Sequence, residues 1–167
     1  MDYKKLLRNT KDKNKLSVTL KNSENKGVGL YATKTIKKGE VISYYRVKVF
    51  KGKDYDSPTD FVYLIEVYRK NGQAYKTLIG DVCDESFPQP INNITFWAPF
   101  ANEPAKNERV NSELDIDLQT NYLNKTCTKA GEFMDYKLIA TKIIRKGDEI
   151  LWYYGEGYKR DYSVGKV

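Results

Sequence analysis

Leu30-Tyr31-Ala32-Thr33-Lys34-Thr35-Ile36-Lys37-Lys38-Gly39-Glu40-Val41-Ile42-Ser43-Tyr44-Tyr45 recurs 108 residues later as Leu138-Ile139-Ala140-Thr141-Lys142-Ile143-Ile144-Arg145-Lys146-Gly147-Asp148-Glu149-Ile150-Leu151-Trp152-Tyr153. The two stretches share nine of sixteen positions, too many for a chance likeness of two strands. Each copy reads as a strand, a tight Lys-Gly-acid turn and a second strand rich in β-branched and aromatic residues. Glycine at 39 and 147 supplies the positive φ that such a turn favours. Two copies this far apart are too few for a solenoid. They predict one small β fold with related hairpin-like pieces at its two ends.

Working outward, Asp60–Tyr68 and Gln73–Ile79 read as strands joined by Lys70-Asn71-Gly72, since Asn-Gly between β-rich runs is a strong hairpin signal. Residues 81–111 hold four of the five prolines and many Asn and acidic residues, which predicts a long loop region. A stretch of that kind in a compact domain is usually functional. Tyr122 and Phe133–Ile139 add strands around a Lys129-Ala130-Gly131 turn, and residues 1–8 have the makings of a short basic helix. The expected class is mostly β, with several small sheets, long connections and little helix.

Composition narrows the chemistry. At 167 residues and 19.4 kDa the chain suits a single domain, and no apolar run is long enough to suggest a membrane span. The first residues carry no apolar stretch of a signal peptide, so an intracellular protein is expected. There is no histidine, which excludes Ser-His and Cys-His triads and His-ligated metals. Cys83 and Cys127 are too few for a four-cysteine zinc site and read as a buried, reduced pair. Charge is lopsided: residues 1–53 hold fifteen Lys/Arg against four acids, whereas residues 81–117 hold eight acids against Lys106 and Arg109. A basic face suggests a polyanion and an acidic stretch a cationic ligand, with plain solvated surface as the competing account.

Lys26-Gly27-Val28-Gly29-Leu30-Tyr31-Ala32, followed by Ile36–Ile42, resembles the opening G-x-G-hydrophobe-aromatic-A motif and I-x-x-G-E-x-I turn of the SET-domain protein lysine methyltransferases. Ile139–Lys142 through Gly147-Asp148-Glu149-Ile150-Leu151-Trp152-Tyr153-Tyr154-Gly155 is similar to the segment that closes that domain. Phe100-Ala101-Asn102-Glu103-Pro104, with Asn111 further on, sits where the family has Asn-His-Ser and then Pro-Asn. The three blocks in order cover roughly residues 18–158. The layout, without zinc-binding flanks, is most similar to PR-type and compact viral SET domains. The Lys-, Asn-, Tyr- and Ile-rich composition fits the AT-rich genome of a large DNA virus or a protist.

The resemblance implies a SET-type β-clip fold at 18–158, with a basic N-terminal arm at 1–17 and a C-terminal tail at 159–167. It implies transfer of a methyl group from S-adenosylmethionine to a protein lysine, most naturally on histones, leaving S-adenosylhomocysteine and needing no metal. Tyr154 takes the place of the catalytic tyrosine that orients amine and methyl; an ordinary buried tyrosine is the competing account. Lys26, Gly27, Val28, Gly29, Ala101, Asn102, Glu103 and Tyr154 take the cofactor-binding positions. Tyr45, Phe100, Trp152, Tyr153 and Tyr158 take positions along the substrate channel, and the bulk of Trp152 suggests restricted room for methyl groups. The expected partners are a basic protein such as a histone, received by the acidic stretch with Glu113, Asp115 and Asp117, nucleosomal DNA against the basic N-terminal region, and a second copy in a homodimer. No membrane partner is expected, and histones as substrate would place the protein in a nucleus or viral factory.

Departures from the family matter too. Glu103-Pro104 replaces His-Ser, and Tyr45-Arg46-Val47 lacks the usual glycine. A catalytically inactive SET-fold peptide- or DNA-binding module is therefore the alternative, and a β-clip carbohydrate-binding domain is a more distant one.

Overall fold

The structure is a computed structural model that describes residues 2–51, 65–68, 74–115 and 130–167. Among these, one short helix, α1 (Tyr3–Asn9), precedes β1 (Val18–Ser23), β2 (Gly27–Ala32), β3 (Val41–Lys51), β4 (Ile65–Tyr68), β5 (Ala74–Asp81), β6 (Ser112–Asp115) and β7 (Phe133–Ala140). Strands β1 and β2 form a two-stranded sheet, and a five-stranded sheet runs β4-β5-β3-β7-β6, with every neighbouring pair antiparallel. The mostly β expectation holds. The antiparallel pairing of β4 with β5 matches the expected hairpin, while the expected Lys70-Asn71-Gly72 turn, residues 60–64, Asp117, Tyr122, Cys127 and Lys129 lie outside the described residues.

The two copies of the repeat are related but are not hairpins. Strand β2 pairs with β1, and β3 pairs with β5 and β7. The residues between each strand and its turn spend their backbone groups on the other copy. Ile36 and Ile144 exchange two N–H···O=C bonds of 2.9 Å each. On one side the Ala32 N–H reaches Asp148 O at 2.9 Å and the Gly147 N–H reaches Ala32 O at 2.8 Å. On the other side the Ala140 N–H reaches Glu40 O at 3.0 Å and the Gly39 N–H reaches Ala140 O at 2.8 Å. A pseudo-two-fold axis therefore passes between Ile36 and Ile144. Even the turns match, since Glu40 and Asp148 each accept the N–H three residues back at 2.9 Å, while Gly39 and Gly147 sit at φ 85 and 94.

Strands β3 and β7 form the spine of the core. Ile42, Tyr45, Val47 and Val49 from β3 pack with Met134, Tyr136, Leu138 and Ala140 from β7, joined by Leu30, Ile36 and Ile144. Arg46 lies directly across from Asp135 and grips it through two bonds of 2.7 and 2.8 Å. The Asp135 side chain has no exposed surface, and hydrogen bonding to it raises the Arg46 guanidinium above its ordinary value despite partial burial. The position where the resemblance expects glycine two residues on thus borders a buried ion pair facing away from Tyr45. The N-terminal arm is held to the body by Tyr3 Oη on Asn22 and by Gln89, whose amide bonds Asn9 O and the Lys11 N–H.

Candidate active site

Ser43 starts the construction. Its hydroxyl, fully buried in β3, meets Thr95 O at 2.9 Å and accepts the Trp97 N–H at 2.8 Å. That anchor delivers the chain into a single 3-10 turn over Ala98–Phe100 and then to Ala101–Glu103. The closing segment 149–154 lies between this loop and Asn111-Ser112. Asn102 bridges Leu151 in parallel, and Asn111 clamps the segment from the other side, donating to Glu149 O at 2.7 Å and accepting the Leu151 N–H at 2.8 Å. Three stretches far apart in sequence meet because each uses side-chain amides and hydroxyls where no sheet is available.

Beside this crossing lies a cavity of about 1090 Å³. Of the residues expected at the site, Lys26, Gly27, Val28, Tyr45, Phe100, Ala101, Asn102, Glu103, Trp152, Tyr154 and Tyr158 line it. Gly29 and Tyr153 do not. Glu113 and Asp115 are also absent from its walls; Asp115 pairs instead with Lys137 at 3.6 Å.

An aromatic run crosses the wall. Tyr45 meets Trp152 edge-on at 6.2 Å, Trp152 lies 5.0 Å from Tyr154, and Tyr154 meets Tyr158 edge-on at 4.9 Å. Two of these rings are fixed by one acceptor: the Ala101 carbonyl takes the Tyr154 hydroxyl at 2.8 Å and Trp152 Nε1 at 3.1 Å.

Glu149 organises the opposite wall. Its carboxylate accepts from Ser23 Oγ at 3.0 Å and Asn102 Nδ2 at 2.9 Å, with Lys26 Nζ at 3.6 Å. Lys26 also pairs with Glu108; burial pushes that carboxyl up, but Lys26 and the Ala105 N–H outweigh it and hold it below its ordinary value. Burial, then the Glu149 charge and hydrogen bond, raise the Tyr31 phenol against the opposing bond from Ser23. Asn102 donates its second amide hydrogen to Val28 O at 3.2 Å, leaving Oδ1 able to accept from a ligand. Gly29 earns its place behind this wall, since a Cβ there would stand 2.6 Å from Glu149 Oε1 and 2.9 Å from the Tyr31 ring. Gly29→Ala is expected to destabilise the protein by about 1–3 kcal/mol, as overpacking does, read as a lowered urea midpoint. An unchanged midpoint would mean that Glu149 relocates freely.

Glu103 does something the family pattern did not suggest. Its side chain is 1% exposed and accepts the Tyr154 N–H at 2.7 Å, Arg160 Nε at 3.0 Å, an Arg160 terminal nitrogen at 2.9 Å and the Tyr162 hydroxyl at 2.9 Å. Burial works against the Arg160 charge, but Glu103 more than offsets it and the guanidinium sits above its ordinary value. Arg160 also lies over the rings of Tyr153 and Tyr158, at 5.5 and 5.3 Å. The tail beyond it docks on 104–110: Val164 bridges Ala105, Lys166 bridges Arg109, and a Cβ on Gly165 would collide with the carbonyl oxygens of Ala105 and Glu108. Residues 159–167 thus complete one side of the cavity.

Burial and the adjacent Glu103 carboxylate push the Tyr162 phenol up to about 12 from 10.0. The folded state favours the protonated phenol, so its contribution is intact below pH 10 and is lost as pH rises towards 12. Alkaline titration followed by limited proteolysis should release the tail in that window. Tyr162→Phe, which has no proton to lose, should shift the release upward; release at the same pH in both proteins would refute the coupling.

Glu149, Glu108, Arg160, Glu24 and Asp161 escaped the sequence reading. Glu149 left a trace there: it stands where the first copy has Val41, a charge at an apolar strand position. Arg160 left none, because its partner Glu103 is more than fifty residues away.

The sequence profile of the SET domain matches residues 27–155. Among solved structures, the chain is similar to a provisionally assigned histone methyltransferase of Plasmodium falciparum, with 17% identity and a TM-score of 0.51, covering 86% of this chain and 96% of that one. It is similar also to the methyltransferase domain of human PR domain-containing protein 2, with 22% identity and a TM-score of 0.51, covering 93% of this chain and 86% of that one. At such identities the likeness concerns the fold. No curated protein sequence matches. The profile spans most of the chain and takes in both copies of the repeat, the 100–104 loop and the terminal Tyr-Gly, and the chain belongs to the SET domain family.

Proposed function

We propose that this SET domain methylates lysine side chains of a basic protein, with histones as the substrate class and S-adenosylmethionine as the methyl donor. The observation that carries the reading is the Tyr154 hydroxyl, held at the cavity wall by Ala101 O with its ring between Trp152 and Tyr158.

The lining suits such a donor. Asn102 Oδ1 is free to accept from an ammonium group, since its amide nitrogen is already used twice. Gly27 presents bare backbone at φ 75, and a Cβ there would meet no protein atom within 4 Å. Glu24, Glu108 and Asp161 on the wall outnumber Lys26, which favours cationic occupants. When bound, S-adenosylmethionine would supply an electrophilic methyl carbon on a sulfonium centre, which a neutral amine would attack in line as the carbon–sulfur bond breaks and S-adenosylhomocysteine leaves. The chain's own share is placement and desolvation. Tyr45, Trp152, Tyr154 and Tyr158 give the incoming lysine stem an aromatic wall against which it would shed water. An amine in such surroundings is more easily neutral than the free side chain, whose pKa is about 10.4. The methylated ammonium is tolerated by the same ring faces. No side chain of this site needs to act as a metal ligand or obligatory base, in keeping with a chain that has no histidine.

The acidic lining also supports a basic peptide substrate and, with it, a nuclear or chromatin-associated setting. The test is transfer of labelled methyl from S-adenosylmethionine to core histones, comparing wild type with Tyr154→Phe. Transfer that collapses in the variant supports the reading. Absence of transfer together with absence of any thermal shift by S-adenosylhomocysteine would leave a catalytically idle peptide-binding module in its place.

A further inference from the structure

The pseudo-two-fold pairing of the repeat arranges charge in a way that methyl transfer does not use. Ile36 and Ile144 form an antiparallel bridge between the two copies, and the tight turns Lys37–Glu40 and Arg145–Asp148 flank it. Segments 33–40 and 141–148 hold Lys34, Lys37, Lys38, Lys142, Arg145 and Lys146, and all six are exposed. Their two carboxylates, Glu40 and Asp148, are turned onto the backbone N–H groups of Lys37 and Arg145. Among the described residues none of the six cations makes an ion pair, whereas Lys26, Arg46, Lys48, Lys137 and Arg160 each have a carboxylate partner. Lys34 further reaches Lys15 O at 3.5 Å, which brings the Lys13–Lys15 turn to the same end.

Clustered like charges repel one another, and here the two copies of one repeat both contribute to the cluster. We propose that the paired turns form a docking surface for the phosphate backbone of a nucleic-acid duplex. A cluster of cations without carboxylate partners is complementary to a duplex, which carries one negative charge per about 1.7 Å of its axis. A duplex also has local two-fold symmetry, so a pseudo-symmetric surface can meet both of its strands alike. Base edges are not read; the contacts are to phosphate and therefore independent of sequence. This surface is separate from the cavity residues and does not depend on methyl transfer.

The experiment uses a short mixed-sequence DNA duplex and the full chain, with affinity measured by fluorescence anisotropy across a salt series. One variant carries Lys34→Gln, Lys38→Gln, Lys142→Gln and Lys146→Gln; a second, matched in net charge, carries Lys4→Gln, Lys5→Gln, Arg8→Gln and Lys11→Gln in the N-terminal arm. Wild type should bind with an affinity that falls steeply with salt. The first variant should lower the slope of log K against log salt by about 3 to 4, at about 0.9 per phosphate contact, and the second by distinctly less. Equal losses in the two variants would reduce the effect to net charge and overturn the assignment. So would failure of wild type to bind the duplex at low salt, or equally tight binding of polyglutamate.

Discussion

Tyr154→Phe is expected to lower the rate of methyl transfer about a hundredfold or more while the protein stays folded. The ring keeps its contacts with Trp152 and Tyr158 at 5.0 and 4.9 Å. The hydroxyl's bond to Ala101 O is lost, and that carbonyl still holds Trp152 Nε1 at 3.1 Å. One such bond contributes about 0.5–1.5 kcal/mol, which for a domain of this size moves Tm by only a few degrees, at about 2–4 °C per kcal/mol. Turnover is more sensitive. A reaction that depends on holding two reactants in line loses about 10²-fold for a misplacement near 1 Å. Single-turnover assays should show the loss in kcat, with KM for a histone peptide and the thermal shift by S-adenosylhomocysteine nearly unchanged. A variant within a few-fold of wild type would reduce Tyr154 to a packing residue.

Arg160→Leu is expected to destabilise the fold by about 3–5 kcal/mol, the usual result of removing one partner from a buried ion pair. Glu103 is 1% exposed at its side chain and would keep only the Tyr154 N–H and the Tyr162 hydroxyl. Its charge would then lack its counter-charge, and the tail would lose the contact that ties it to Glu103, so the tail should also become sensitive to proteolysis. Pairing the change with Glu103→Leu should recover most of the loss, because the uncompensated charge then disappears. A single variant as stable as wild type, with a protected tail, would show that the ion pair does not hold the tail. The alkaline release of the tail through Tyr162 examines the same cluster from its neutral member.

These two residues sit on either side of what the sequence reveals. Tyr154 closes a motif in which residues 147–155 run contiguously, so its place is legible in the order of residues alone. Glu103 is legible only as a departure, an acid where the family has histidine. Its role depends on Arg160 and Tyr162, and no local pattern marks a residue as the partner of one fifty-seven positions away. Gly29 shows the same division. Its motif announces a tight approach, yet the group it makes room for is the carboxylate of Glu149, not the cavity.

Strand character, the turns at Gly39 and Gly147, the mostly β class and the family followed from the sequence by itself, because periodicity, glycine chemistry and short motifs are written within a few residues of one another. Tertiary structure alone decided that the repeat's copies pair with each other instead of folding back, that Tyr153 and Gly29 stand outside the cavity, and that an ion pair between Glu103 and Arg160 holds the tail at its wall. Those outcomes rest on which distant backbone and carboxylate groups satisfy one another once water is excluded, and a one-dimensional pattern does not record that competition.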